Sequence, residues 1–260
     1  RLSLVGSEMC IRDRLVADQQ GTIHGSATEG YPLLQPRAGW TEQNPIDWWG
    51  ACIRAIINLR ETSEIELSKV EAVGLSGQMH GSVVLGKEVS PVRGQCEPLC
   101  PAILWNDQRT AQECIEITEK AGGLRALVER SGNPALTGYT LPKLLWIKHH
   151  APEVWNRAAT FMLPKDYIAY RLTGERASDV GDASGTMMLD IDHRTWDPQV
   201  CNLHGIASDQ LPKLYESSEI VGYLLSSVAG LHWSTKWDSG HHREWRQHDR
   251  RDRGRYCRAR

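Results

Sequence analysis

Short apolar runs alternate along the chain with longer amphipathic stretches, and polar turns separate them. This alternation is typical of an α/β protein. The clearest example is residues 70–85, VEAVGLSGQMHGSVVL, where two apolar segments that favour a pleated backbone flank a polar tip at residues 76–81. Gly77 and Gly81 allow sharp turns at this tip. The pattern predicts a strand, a tip and a second strand; a plain hairpin turn with a solvated histidine is the alternative.

A second strand end is predicted shortly afterwards. Residues 101–104, PAIL, have the pattern of a short buried strand, and polar residues follow it directly. Ligands gather at strand ends in open α/β sheets, so the two polar ends would build one site if their strands lie side by side. The candidate ligand-binding residues are Gln78, Met79, His80, Asn106 and Asp107. Alternatively, Asn106 and Asp107 cap a helix predicted over residues 108–121, with Arg109 as an ion-pair partner.

The best-signalled helix is predicted over residues 45–60. Asn44 can cap it, Pro45 fits its first position, and Asp47 favours the positive end of its dipole. Trp48 and Trp49 are interpreted as packing residues. The apolar side chains expected on its buried face are Ile46, Trp49, Ile53, Ile56 and Ile57.

The later elements follow from the same signals. Helices are predicted at residues 124–129, 141–150 and 164–172 and from residue 152, with a strand at 160–163 and a polar loop at 88–100. Thr140 is expected to cap its helix, and Lys143 is expected on the surface of that helix. Lys165 and Asp166 are expected to stabilise a helix start. The aspartates at 179, 182 and 190 are interpreted as turn and cap residues, with an acidic metal cluster as the alternative.

Composition excludes several classes of protein. With 260 residues, 40 % of them apolar and 24 % charged, the chain is ordinary for a globular protein. No apolar run reaches the length of about 18 residues that a membrane span needs, and the first residues lack the pattern of a signal peptide, so a cytoplasmic location without a membrane partner is expected. The seven scattered cysteines favour reduced thiols, and Cys96 and Cys100 alone are too few for a metal site.

Longer segments of sequence carry more information than these separate signals. The segments WTEQNP, GQMHG, PAILWNDQR, LPKLLW, LPKDY and QLPKLYESSEI stand in an order typical of sugar kinases, so the chain from about residue 15 to residue 225 resembles the FGGY family. The resemblance implies an α/β fold that is actin-like (ribonuclease H-like), with a mixed sheet flanked by helices, and makes residues 15–230 its N-terminal, sugar-binding domain. It also implies ATP and Mg²⁺ as cofactors, and a sugar held by Gln78, Met79, His80, Asn106 and Asp107.

The tip narrows the substrate that the resemblance implies. Gln78-Met79-His80 resembles the branch of the family that phosphorylates D-xylulose to D-xylulose 5-phosphate, whereas a glycerol-type kinase is expected to carry Arg-Glu at this place. Another sugar or polyol kinase of the family is the near alternative. A non-catalytic sugar-binding remnant is the alternative from a different class. A homodimer is left open as the oligomeric state.

No catalytic residue is assigned from the sequence. The family's proton-accepting aspartate is expected in a Gly-Asp-Asn segment, and the surroundings of Asp238, Trp237-Asp238-Ser239-Gly240, do not match it. The chain is therefore expected to be an inactive fragment of a phosphotransferase that acts on an alcohol group.

Both ends of the chain depart from the family pattern. Residues 1–14 lack both the Asp-x-Gly-Thr turn expected near the ATP phosphates and an apolar strand before it, so they are expected to be foreign. Residues 231–260 carry a charge of +5, against −7 for the rest, and have almost no aliphatic side chains, so they are expected to be disordered. Out-of-frame translation near Gly230 is the preferred explanation, which resequencing would test; a basic nucleic-acid-binding arm is the alternative.

Overall fold

The computed structural model describes residues 2–5, 11–63, 65–89, 94–232, 245–247 and 257–259. The strands are β1 (Leu2–Val5), β2 (Ile11–Asp18), β3 (Ile23–Gly30), β4 (Glu42–Gln43), β5 (Val70–Val73), β6 (Val83–Val89), β7 (Cys96–Pro98), β8 (Ala102–Ile103), β9 (Ala158–Met162), β10 (Ala177–Asp179), β11 (Leu189–Asp190), β12 (Thr195–Trp196), β13 (Lys213–Tyr215), β14 (Trp245–Gln247) and β15 (Cys257–Ala259). The helices are α1 (Pro45–Thr62), α2 (Ala111–Lys120), α3 (Leu124–Ser131), α4 (Thr140–His150), α5 (Pro152–Arg157), α6 (Pro164–Thr173), α7 (Val180–Ala183), α8 (Pro198–His204) and α9 (Ser226–His232).

The larger sheet is mixed, as the resemblance implies. Its strand order is β3-β2-β1-β5; β1 and β5 are parallel, and the other neighbours are antiparallel. A second, antiparallel sheet has the order β7-β6-β9. Helices pack against these sheets, which confirms the predicted α/β class.

The strand, tip and strand predicted at residues 70–85 are present as β5, the tip and β6. The hairpin alternative is wrong, because β5 pairs with β1, whereas β6 pairs with β7 and β9. Successive side chains of β6 point to opposite faces. Val83 and Leu85 therefore join the apolar cluster around α1, and Val84 joins the cluster around α4. The strand that follows the tip is thus fixed on both faces.

Helix α1 has the predicted start and a different buried face. The Asn44 side chain accepts a hydrogen bond from the amide of Ile46, with Pro45 at the first helical position. The fully buried apolar side chains are Trp48, Ala51, Cys52, Ala55, Ile56 and Leu59. Of the predicted face, only Ile56 is fully buried. The buried stripe is rotated toward Trp48, because small residues at 51, 52 and 55 let the helix approach the sheet closely.

Several other predictions hold, and three need correction. Helix α6 lies within one residue of the predicted bounds 164–172, and Gly174 ends it in the left-handed conformation. The prediction of a polar loop at residues 88–100 is wrong, because β6 extends to Val89 and β7 pairs with β6. Thr140 does not cap α4; Tyr139 occupies the capping position, and no side chain caps it. Residues 1–14 do contain an apolar strand, contrary to the prediction, since β1 lies between β2 and β5 in the sheet. Its four residues are too few for periodicity to detect.

The chain ends lie largely outside the described residues. The foreign origin predicted for residues 1–14 stays a prediction. Within the predicted disordered segment, α9 continues to His232 and β14 pairs with β15; the remainder of residues 233–260 lies outside the described residues. In the part of the chain that the structure describes, no helix is both long and apolar enough to cross a membrane.

Candidate functional site

The two predicted strand ends lie side by side. The amide of Ser82, just after the tip, donates to the carbonyl of Ile103 in β8 at 3.0 Å. On its other side, β8 pairs with β4, where Gln43 faces Ala102 in the register. A Cβ on Gly81 would come within 2.6 Å of Pro164, so only glycine lets the tip lie this close to α6. The tip is therefore held between β8 and α6, next to the loop that carries Asn106 and Asp107.

His80 has an unusual backbone conformation at the end of this tip. Its φ is +66°, in the left-handed region that non-glycine residues seldom occupy. The ring is half-buried; its Nδ1 lies 3.1 Å from the carbonyl oxygen of Gly185, and the Tyr139 ring packs edge-on against it at 5.0 Å. A carbonyl oxygen only accepts, so Nδ1 carries the hydrogen. Burial, together with the positive charge of Lys143, lowers the pKa of His80. The neutral ring therefore offers Nε2 as an acceptor.

Lys143 is buried beneath the tip, which corrects the prediction of a surface lysine. It has no solvent exposure. Its Nζ donates to the carbonyl of His80 at 2.8 Å and also to the carbonyl of Gly138. The hydroxyl of Thr140 donates to the same His80 carbonyl at 3.1 Å. Burial lowers the pKa of Lys143 to about 7, although the charge of Asp107 opposes that shift.

Gln78 and Met79 occupy different environments within the tip. The buried Gln78 amide donates to Gln43 Oε1 at 2.8 Å, and the indole of Trp48 donates to the same oxygen at 2.9 Å. The Oε1 atom of Gln78 is buried without a hydrogen-bond partner among the described residues. The Met79 side chain, in contrast, is 49 % exposed. The tip thus combines an anchored amide with an accessible apolar side chain.

Asp107 does not cap the following helix, because α2 begins at Ala111 after Thr110. Its fully buried carboxylate accepts hydrogen bonds from the amide of Thr41 at 2.6 Å and from the guanidinium of Arg109 at 2.8 Å. Arg109 also pairs with Glu42 at 2.7 Å, which confirms its prediction as an ion-pair partner. These bonds tie the end of β8 to the strand that precedes α1.

Asn106 lies next to this buried pair and is exposed. Its Oδ1 accepts a hydrogen bond from the Thr41 hydroxyl at 2.8 Å. The capping alternative is therefore wrong for Asn106 as well, because its side chain contacts the β4 segment rather than the start of α2. The capping prediction failed because three further residues separate Asp107 from the helix.

An acidic cluster surrounds Lys165 in α6, and one member, Asp182, lies close enough to His80 for its charge to oppose the lowering of the His80 pKa. The Lys165 ammonium contacts Asp166, Asp179 and Asp182, and all four side chains are buried. Asp179 also caps α7 by accepting from the amide of Asp182 at 3.1 Å, and Asp166 accepts from the amide of Leu163 at the start of α6, as predicted. Burial raises the pKa of Asp166. The lysine supplies the positive charge that these carboxylates need.

The remaining candidate metal ligands are Asp190 and the cysteines. Asp190, the third member of the alternative acidic cluster, instead accepts hydrogen bonds from His193 in its own turn, as the turn interpretation predicts. No group of three His, Cys, Asp or Glu side chains in the described residues could hold a metal ion. The free cysteines within this range are Cys52, Cys96, Cys100, Cys114 and Cys201. These five sulfur atoms form no disulfide with one another.

Sequence reasoning missed four residues that build this site. Thr41 and Gln43 lie within the segment WTEQNP, whose place in the family order was recognised but not connected to the tip. Lys143 lies in LPKLLW, where the surrounding apolar residues could have indicated its burial. Gly185 lies in DASGTMMLD, a segment that also follows the family order, but nothing in that segment indicates that its carbonyl accepts from His80 across 105 positions of sequence.

Comparison with known proteins gives one family. The family model described as the N-terminal domain of the FGGY family of carbohydrate kinases matches residues 12–233. A xylulose kinase of Bacillus subtilis (strain 168) is 40 % identical over 229 residues, which cover 87 % of this chain and 44 % of the relative. One from Escherichia coli (strain K12) is 40 % identical over 215 residues, covering 83 % and 42 %.

Solved structures agree with these relatives. The crystal structure of a xyloylose kinase from Brucella ovis has a TM-score of 0.80 and 34 % identity, and the match covers 87 % of this chain and 46 % of that one. The chain therefore spans less than half the length of each of these three proteins. The likeness confirms the predicted actin-like domain.

Proposed function

Because the chain belongs to the FGGY family of carbohydrate kinases, we propose that it is the sugar-binding portion of a xylulokinase. The complete enzyme would transfer the terminal phosphoryl group of ATP to D-xylulose and release D-xylulose 5-phosphate. The identity to two bacterial xylulose kinases supports this substrate. The observation that carries the proposal is the half-buried His80 ring, whose Nδ1 is bound to Gly185 and whose Nε2 remains an acceptor.

The site residues can share the binding of one small polyhydroxy molecule. His80 Nε2 would accept a hydrogen bond from a sugar hydroxyl. The exposed Met79 side chain would cover the carbon face of the sugar. Asn106, whose Oδ1 is bound by Thr41, would donate through its NH₂ group. Gln78 Oε1 has no partner among the described residues but is buried, so it would accept from a sugar hydroxyl only after the tip shifts. A sugar with several hydroxyls and an apolar carbon chain matches this mixture.

We assign Asp107 an indirect part in sugar binding. Its carboxylate has no solvent exposure and already accepts from Thr41 and Arg109, so a direct contact would require its loop to open. Since Thr41 also holds Asn106, the buried carboxylate would fix the position of the neighbouring amide.

The cofactor requirement is proposed from the family alone. ATP with Mg²⁺ would supply the phosphoryl group and neutralise its charge. The described residues do not fit a Mg²⁺ site, because the buried carboxylates near Lys165 are already paired with that lysine. No proton-accepting carboxylate is assigned, and Asp238 lies outside the described residues. We therefore propose that this polypeptide binds sugar without turning it over.

Calorimetric titration of the whole chain with D-xylulose tests the proposal. His80→Ala should weaken binding by about tenfold or more, because a hydroxyl loses its buried acceptor. His193→Ala is the matched control, since His193 is an exposed histidine that contacts only its own turn through Asp190. Equal affinity in the two variants would contradict the assignment of His80. A wild-type chain that melts cooperatively and releases no heat with D-xylulose would contradict sugar binding by this chain.

Two further measurements separate the alternatives. Glycerol in place of D-xylulose should give no binding at the same concentrations if the Gln78-Met79-His80 tip selects a longer sugar. An assay of ADP release should detect no turnover by the chain alone. ADP release that depends on D-xylulose would contradict the proposed inactivity while supporting the substrate.

A further inference from the structure

The left-handed conformation of His80 needs support from its surroundings. A non-glycine residue at positive φ is less stable than one in the right-handed region, because its Cβ crowds the following carbonyl oxygen. With φ at +66°, His80 is one of three such residues in the described part of the chain, together with Met187 and Arg194. This conformation directs the carbonyl of His80 toward α4 while its ring contacts Gly185.

Two donors from the first turn of α4 hold that carbonyl. Lys143 Nζ lies 2.8 Å from it and Thr140 Oγ1 lies 3.1 Å from it, so both lone pairs of the oxygen are used. Lys143 also donates to Gly138, which precedes α4. The lysine therefore bridges the tip and the helix start through main-chain atoms alone.

The ring of His80 is fixed from the opposite side. The carbonyl of Gly185 accepts from Nδ1, and a Cβ on Gly185 would lie 2.2 Å from the ring atom Cε1. Tyr139, next to Thr140, packs edge-on against the ring. Rotation of the ring would break the bond to Gly185, so its orientation depends on where the His80 backbone is held.

A fully buried ammonium group is costly when its hydrogen-bond partners are carbonyls rather than a carboxylate. Lys143 bears this cost beneath the proposed sugar site, whereas a leucine at this position would pack without that cost. The charge is better explained by what it holds than by a contribution to stability.

We propose that Lys143 is a positioning residue for His80: by holding the His80 carbonyl, it keeps the backbone left-handed and the ring on Gly185, which leaves Nε2 to the sugar hydroxyl. Only the part of this inference that concerns the sugar hydroxyl rests on the proposed function. The part that concerns the ring can be tested without any sugar.

Nitrogen NMR of the ¹⁵N-histidine-labelled whole chain tests the ring directly. His80→Gln identifies the His80 signals by their loss. In the wild-type chain near neutral pH, Nδ1 should be protonated and Nε2 unprotonated. In Lys143→Met the two nitrogens should shift toward the averaged values of a free ring, and the pKa of His80 should rise toward that of an ordinary histidine.

Lys148→Met is the matched control. Lys148 lies on the same helix and also donates to a main-chain carbonyl, that of His204 at 2.7 Å, away from the tip. Its variant should leave the His80 signals unchanged. A purely structural role for Lys143 would lower the melting temperature of Lys143→Met without changing the tautomer of His80.

Affinity for D-xylulose gives the second readout. Lys143→Met should weaken binding about tenfold or more, and Lys148→Met should stay within about twofold. A folded Lys143→Met chain with unchanged His80 signals would overturn the inference. If Lys143→Met does not melt cooperatively, Thr140→Val decides, because Lys143 is then the remaining side-chain donor to the His80 carbonyl: His80 signals that shift to those of a free ring there would overturn the inference. Shifted signals in Lys143→Met, in a chain that binds no D-xylulose, would support the positioning role and reject the proposed function.

Discussion

The amide of Thr41 donates a 2.6 Å hydrogen bond to the carboxylate of Asp107, which lies 66 residues further along the chain. Arg109 holds the same carboxylate from the other side, and its guanidinium stacks on the ring of Trp40 at 3.8 Å from the centroid. The segment before α1 is thereby joined to the end of β8. The segment at residues 41–43 thus holds Asn106 through Thr41 and the tip through the bond between Gln43 and Gln78.

Removal of the Asp107 carboxylate should destabilise the domain strongly. In Asp107→Ala, Arg109 keeps its ion pair with Glu42 but loses the one with the buried carboxylate. The Thr41 amide also loses its acceptor. A broken buried pair typically costs about 3–5 kcal/mol. Urea unfolding followed by circular dichroism measures the loss.

The pair between Arg125 and Glu129 provides the control for that experiment. Both side chains are exposed on α3, so Glu129→Ala should leave the urea midpoint almost unchanged. Similar midpoints for Asp107→Ala and Glu129→Ala would show that the buried pair does not stabilise the domain.

Substitution of Gly185 should affect sugar binding more than folding. The added Cβ in Gly185→Ala would overlap the His80 ring at 2.2 Å and force it to move. We expect the affinity for D-xylulose to fall by about tenfold or more. Gly50→Ala is the control, because its Cβ would meet only the flexible end of Arg54 inside α1. That variant should gain about 0.5–1 kcal/mol of stability and bind normally; equal affinity in both would reject the contact with His80.

Acid should destabilise the fold through His204. Burial, assisted by the charge of Lys120, lowers the pKa of His204 to about 4. Between about pH 6.5 and pH 4 the unfolded chain binds a proton that the folded chain does not, so the free energy of unfolding falls as the pH falls. The contribution from His204 between about pH 7 and pH 5 is about 2 kcal/mol. Urea unfolding at the two pH values measures it.

His204→Leu should reduce this dependence on pH, and His193→Gln should not. A hydrogen bond to Asp190 raises the pKa of the exposed His193, so its own contribution has the opposite sign and is lost as the pH rises. If His204→Leu loses as much stability on acidification as the wild-type chain does, another group is responsible.

Gln43 should connect the stability of the core to the order of the tip. Its Oε1 accepts from Trp48 and from Gln78, and all three residues are buried. In Gln43→Leu both donors lose this acceptor, and each buried donor left without a partner typically costs about 1–3 kcal/mol of stability. Hydrogen exchange should also become faster at the amides of residues 78–82. A loss of stability with unchanged exchange at the tip would separate the two roles.

Local signals predicted the elements better than they predicted the contacts of the site. Asn44 and Pro45 determine the start of α1 through bonds within one turn, so they could be found in the sequence. The buried face of α1 could not, because it depends on how closely small residues let the sheet approach. Strand β1 was missed for a related reason: its pairing with β2 and β5, rather than its own pattern, defines it.

The candidate site shows the same division. Gln78, Met79 and His80 were found because they form one segment with a family resemblance. The burial of Lys143 and the contact with Gly185 depend on packing between α4, the tip and the turn at residues 184–186, which no local pattern encodes. Asp107 was found as a polar residue at a strand end, but its complete burial by Thr41 and Arg109 was not anticipated.

The positive φ of His80 restricts which amino acids a mutational library could place there. Glycine, asparagine and aspartate adopt this backbone at low cost, whereas valine and isoleucine do not. A library that varies this position alone would therefore contain few amino acids that could alter sugar preference and still fold. A wider choice of side chains at position 80 would require a redesigned turn, because the amino acid there must suit the left-handed backbone.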